Sequence, residues 1–151
     1  MAARSGEIAK QLIWRLSDRI RHFREARALN PDAALGRRGE DLAHRYLRNR
    51  GYKVVARNYK PGVDSEIDIV ARHGELVVFV EVKSRVSEEF GSPERAIDLE
   101  KQRHIVRAAR SFVTRARLEW SQVRFDVISV VFSDPPSIVH RQDAFFHGRA
   151  I

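Results

Sequence analysis

The 151 residues contain no cysteine. That excludes a disulfide framework, a thiolate zinc site, an iron–sulfur cluster and a cysteine nucleophile. Long apolar runs are missing too, and nothing approaches the roughly 20 residues that a membrane-crossing helix needs. The N-terminus is charged throughout and lacks the apolar centre of a signal peptide, so a cytoplasmic protein is expected. There is no glycine-rich phosphate loop and no Gly-x-Ser-x-Gly elbow. The histidines (His22, His44, His73, His104, His140 and His147) have no metal-ligand spacing and read as ordinary surface or boundary residues.

What is present is a globular composition with a basic excess. Apolar residues make up 43% of the chain, enough for a single core. Lys plus Arg number 28 against 20 Asp plus Glu, a net charge of +8. All but five of those bases are arginine. Guanidinium forks match phosphate geometry, which suits a nucleic acid or another polyanion. Simple solvation of arginines in an arginine-rich proteome accounts for the same numbers.

The chain divides into residues 1–35, a basic helix with its linker, and residues 36–151, the main domain. Ile8, Leu12, Leu16, Ile20 and Phe23 fall on one side of a helical wheel over residues 5–29. Such a helix suits a polyanion, a membrane surface, a partner protein or the domain's own core. Asn30-Pro31-Asp32 is expected to end it, because proline disfavours helix in the residue before it. A second helix is expected over 39–50, with Gly51 as its C-terminal cap. Strands follow at 52–59, 66–72 and 76–84, with residues 60–64 a loop. A long helix over 94–117, a strand at 123–132 and a short edge strand within 138–146 complete the pattern. The fold class is α/β, a mixed central sheet flanked by helices.

The hairpin Ser65–Ser84 carries the chemistry. Side chains alternate along each strand. With Arg72 opposite Glu75, Asp68 faces Phe79 and Glu66 faces Glu81. Glu66, Asp68, Phe79, Glu81 and Lys83 then share one face; Ile67, Ile69, Val78, Val80 and Val82 share the other. Asp68 and Glu81 become diagonal neighbours, roughly 7–8 Å apart between Cα atoms. Two acids so placed can hold one hard cation, magnesium or manganese. Lys83, on the same face, can orient an attacking water or meet a phosphoryl oxygen. Buried acids on an apolar strand are costly without a cation or a base; the plainer alternative is a Glu–Lys ion pair at a sheet edge.

Asp68, twelve residues, then Glu81-Val82-Lys83 resembles the PD-(D/E)xK motif of restriction-endonuclease-like nucleases. More closely, residues 36–132 are similar to the bacterial YraN family of that superfamily. The matching segments are Gly36-Arg-Arg-Gly-Glu40, Gly51-Tyr52, Asn58, Glu66-Ile-Asp68, Phe79-Val-Glu-Val-Lys-Ser-Arg85, Phe90-Gly91, Lys101 and Arg124-Phe-Asp-Val127. Ser65 stands where the family usually has glycine. Glu40 also matches an acidic residue on the first helix of archaeal Holliday junction resolvases, which implies a place in the metal shell. From the sequence alone, it is equally an acid complementing the dipole of a helix start.

The resemblance implies a metal-dependent endonuclease acting on branched or otherwise structured DNA. Asp68, Glu81 and Glu40 are the metal candidates, and Lys83 the catalytic base or orienting group. Arg103, Arg107 and Arg110 lie at i, i+4 and i+7 on one helix and could line a phosphate track, with Arg85 and Lys101 closer to the site. Arg124 and Asp126 read as a structural ion pair. A resolvase-like activity would favour a homodimer. The rival readings are a non-catalytic nucleic-acid-binding module and an interaction protein docking through residues 5–29.

Overall fold

In the computed structural model, residues 30–87, 89 and 97–145 are described; the helix expected over 5–29 lies outside them. Helix α1 spans Pro31–Asn49. Strands β1 (Lys53–Gly62), β2 (Ser65–His73) and β3 (Leu76–Arg85) follow as an antiparallel meander. Helix α2 (Leu99–Ala116) leads to a short 3₁₀ turn and β4 (Val123–Val131), which pairs parallel to β3. Strand β5 (Ser137–Arg141) closes the edge antiparallel to β4. The sheet order is β1-β2-β3-β4-β5, so the fold is the expected mixed α/β sheet with a helix on each face.

The start of α1 differs from expectation. Asn30-Pro31-Asp32 opens this helix instead of closing the one before it. The Asn30 Oδ1 accepts the Asp32 N–H at 3.0 Å, and Pro31 sits in the first turn. Proline restrains its predecessor to extended backbone, the conformation a helix N-cap adopts; its missing N–H costs nothing in a first turn. Helix α2 starts later than expected. Asp98 is its N-cap, accepting the Lys101 N–H at 2.8 Å. Strand β1 runs on through Lys60-Pro61-Gly62, where a loop was expected.

Two apolar layers flank the sheet. Ile105, Val106, Ala109, Phe112 and Val113 of α2 pack on Tyr59, Val70, Phe79 and Phe125. Ala43 and Leu47 of α1 pack on Ile69, Val78, Val80 and Ile128. β3, buried from Val77 to Glu81, is a central strand covered on both sides, which explains its nearly continuous apolar run. Ile67 breaks the expected alternation: it packs with Tyr59 on the α2 side, although Ile69 faces α1. Ile67 lies beyond the last β2–β3 pair, Ile69 with Val80, so only β1 still constrains the strand there.

Candidate active site

The hairpin turn is one residue further on than expected. His73 pairs with Leu76, and Gly74-Glu75 forms the turn, with Gly74 at φ 60°. Glycine reaches that left-handed conformation without a Cβ penalty. The register shifts by two residues, so the faces are preserved. Continued by one residue, it sets Asp68 level with Glu81, not diagonal to it. There β2 and β3 stop pairing. The Val82 N–H instead donates to the Asp68 carboxylate at 2.7 Å. The two acids thus sit at a fork between strands, where a backbone donor has been given to a side chain.

Both acids are strongly perturbed. Burial, then the charge of Glu81, pushes the Asp68 carboxyl well above its ordinary range. Burial also raises Glu81, while the neighbouring Lys101 partly offsets it. The Glu81 Oε2 is buried without a hydrogen-bond donor. Its other oxygen meets the Lys101 ammonium at 3.2 Å. A paired acid with one orphaned oxygen fits a hard cation that takes one or two carboxylates and keeps several waters.

Glu40 reaches the site from the other helix. Its Oε2 accepts from Asn58 Nδ2 at 2.8 Å and from Arg57 at 3.3 Å. Asn58 is in the left-handed region, at φ 52°, which asparagine tolerates better than most residues. Burial, followed by the charge of Asp68, raises Glu40 to about 7. Among the described residues, no three His, Asp or Glu side chains lie close enough to hold one metal ion. Asp68 and Glu81 are the assembled pair, and Glu40 is a third acid coupled to them through charge.

Lys83 is half-buried on β3. Burial, then the charge of Arg85, lowers its pKa, partly opposed by Glu81 and Asp98. A lowered ammonium pKa suits proton transfer better than an ordinary lysine does. Lys101, placed with the nucleic-acid contacts by sequence, instead bridges to Glu81. Its signal was Asp98: a helix start there puts Lys101 in the first turn, at the sheet's fork. Arg57 was not singled out, because nothing in its sequence neighbourhood links it to residue 40. Arg103, Arg107 and Arg110 are exposed on the outer side of α2, and Arg85 is half-buried at the end of β3.

A second polar cluster lies on the α1 side of β4. Asp126, fully buried, accepts two bonds from Arg124 at 2.8 Å and one from the Asp143 N–H at 3.1 Å. His140 Nε2 lies 2.8 Å from the same carboxylate. The expected Arg124–Asp126 ion pair is present, whereas His140 is a buried network member, its side chain 4% exposed, not the boundary residue expected.

A family model described as uncharacterised protein family UPF0102 matches residues 39–130. The chain belongs to that family, which is also the YraN family. A UPF0102 protein of Solibacter usitatus is 47% identical over 135 residues, covering 89% of this chain and 98% of its own length. Relatives from Syntrophotalea carbinolica and Rhodococcus jostii are 48% and 42% identical over 97 and 114 residues. These cover 64% and 74% of this chain and 78% and 96% of their own lengths. The match spans α1 to β4 and so includes Glu40, Asp68, Glu81, Lys83 and Lys101. No helix among the described residues is long and apolar enough to cross a membrane.

Proposed function

We propose that this UPF0102 protein is a magnesium- or manganese-dependent endonuclease acting on DNA, with a preference for branched or structured substrates. The observation that carries this reading is the Asp68–Glu81 pair at the fork of β2 and β3, with a buried, donorless Glu81 oxygen beside it. Asp68 and Glu81 would hold the cation, and Glu40 would add negative charge beside them. When bound, a divalent ion there supplies a more acidic water and offsets charge on the phosphate. Asp68 is held in place by the Val82 N–H, which leaves its other oxygen for the site. Lys83, with its lowered pKa, would orient the attacking water or take its proton. The exposed Arg103, Arg107 and Arg110 would track the phosphate backbone, with Arg85 closer to the acids.

A panel of linear, nicked, flapped and four-way DNA, with magnesium, manganese or chelator, tests this reading. Metal-dependent cleavage is expected, strongest on the branched substrates. Lys83→Ala should bind DNA and metal as the unaltered protein does, yet cleave roughly 10²–10⁴-fold more slowly, the usual effect of losing a proton-transfer group. Salt-sensitive DNA binding without cleavage under any condition would leave a binding module on the same fold. A homodimer would present two such sites to a four-way junction, and sedimentation with and without DNA reads that state.

A further inference from the structure

Resting on that reading, the geometry points to Lys101 as a built-in counter-ion that occupies the acid pair until a divalent cation displaces it and frees the ammonium for a substrate phosphate. Lys101 Nζ lies 3.2 Å from Glu81 Oε1. It comes from a different element than the acids, since Asp98 fixes the start of α2 by taking the Lys101 N–H. The backbone is therefore anchored while the side chain remains free to swing. That side chain is 40% exposed, against 11% for Glu81, so one end of the pair is fixed and the other opens to solvent.

The charges around the pair support the exchange. Burial would lower the Lys101 pKa, but the charges of Glu81 and Asp68 outweigh it and hold the ammonium protonated. A protonated ammonium and a dication cannot share the same two carboxylates, because they repel at contact distance. Cation entry must therefore release Lys101. Its stem pivots from the first turn of α2, whose outer side carries the exposed Arg103, Arg107 and Arg110. A phosphate drawn to that side comes within reach of the freed ammonium. Lys101 thus keeps the empty site neutral and then acts as a phosphate contact, so that metal loading and substrate capture are linked.

The test is calorimetric titration of the full chain with manganese, without DNA, at pH about 8.5, where ordinary carboxyls are fully ionised. Lys101→Met keeps the stem and removes the competitor, so its manganese affinity should rise roughly tenfold, within the usual range for coupled sites. Lys101→Arg keeps a cation and should stay near the unaltered value. Arg115→Met removes an equal charge at the far, exposed end of α2 and should change nothing. DNA affinity measured in saturating calcium should fall for Lys101→Met but not in chelator, where the lysine is still held by Glu81. Equal manganese affinity in Lys101→Met and the unaltered protein would overturn the counter-ion role while leaving the metal site intact. No manganese binding by any variant would overturn the metal site itself, and this inference with it.

Discussion

A Cβ atom built on Gly39 would overlap the side chain of Ser84. Helix α1 therefore lies directly on β3 at the residue before Glu40, and one residue past Lys83. This contact sets how far Glu40 stands from the acid pair.

Gly39→Ala should cost about 1–3 kcal/mol, the usual range for overpacking. Urea unfolding measures it. The Ser84 Oγ is buried without a hydrogen-bond partner, so Ser84→Ala should hold or raise stability, by about 1 kcal/mol at most. If Gly39→Ala proved neutral, the close packing of α1 on β3 would be wrong.

The raised pKa of Glu40 makes stability depend on pH. The group moves from 4.5 to about 7, chiefly through burial and then through the charge of Asp68. A raised pKa favours the folded state while the group is protonated. This contribution is full below 4.5 and is lost as pH rises through about 7. Asp68 and Glu81 are raised as well and act in the same direction. In chelator, the urea midpoint of the unaltered protein should therefore fall across this window. Glu40→Gln should give a visibly flatter profile, and superimposable profiles would contradict the burial of a protonated Glu40.

Asp68→Asn keeps an oxygen for the Val82 N–H and removes one charge from a crowded pair. Glu81→Gln removes the other, and the half-exposed Lys101 can turn to solvent. Both variants should fold at least as stably as the unaltered protein in chelator. Magnesium at about 100 times its dissociation constant should stabilise the unaltered protein by about 2.7 kcal/mol, and each variant much less. Differential scanning calorimetry reads both effects. Equal magnesium shifts in all three proteins would place the cation elsewhere.

The Asp126 network responds to pH in the opposite sense. Burial alone would raise Asp126, but hydrogen bonds from His140, Arg124 and the Asp143 N–H outweigh it and lower its pKa. Its contribution is present above its unfolded value, about 3.9, and is lost as pH falls through the depressed folded value. Asp126→Ala leaves Arg124 unpaired in a largely buried place and should cost about 3–5 kcal/mol. Thermal unfolding at neutral pH checks this, and a change below 1 kcal/mol or so would make the network dispensable.

Much of this was legible in the sequence because periodicity is a local property. Val78 and Val80 against Phe79 and Glu81 assigned the faces of β3, and parity alone brought Asp68 and Glu81 to the same side. Their closeness was underestimated because one residue of turn length moves the register by two, and Gly74 could serve as either half of the turn. The role of Asn30-Pro31 was misread because the same dipeptide can stop one helix and start the next; only the Asp32 N–H bond decides it. The partners of Glu40 and Glu81 were hidden for a different reason. Arg57 and Lys101 lie 17 and 20 residues from the acids they meet, and no local pattern encodes such pairings. His140 was hidden likewise, its partner Asp126 lying on the neighbouring strand.

The sheet order has a kinetic consequence. β1, β2 and β3 are neighbours both along the chain and in the sheet, so their contacts close short loops and are quick to form. The parallel pairing of β4 with β3 must wait until the whole of α2 has crossed over. A chain emerging from the ribosome therefore holds Asp68 and Glu81 together on a finished hairpin before Lys101 has been made. At that stage the acids are still hydrated, with no ammonium to match. Docking of α2 dehydrates them and delivers their counter-charge in one event, so the last helix to arrive makes burial of the acid pair tolerable.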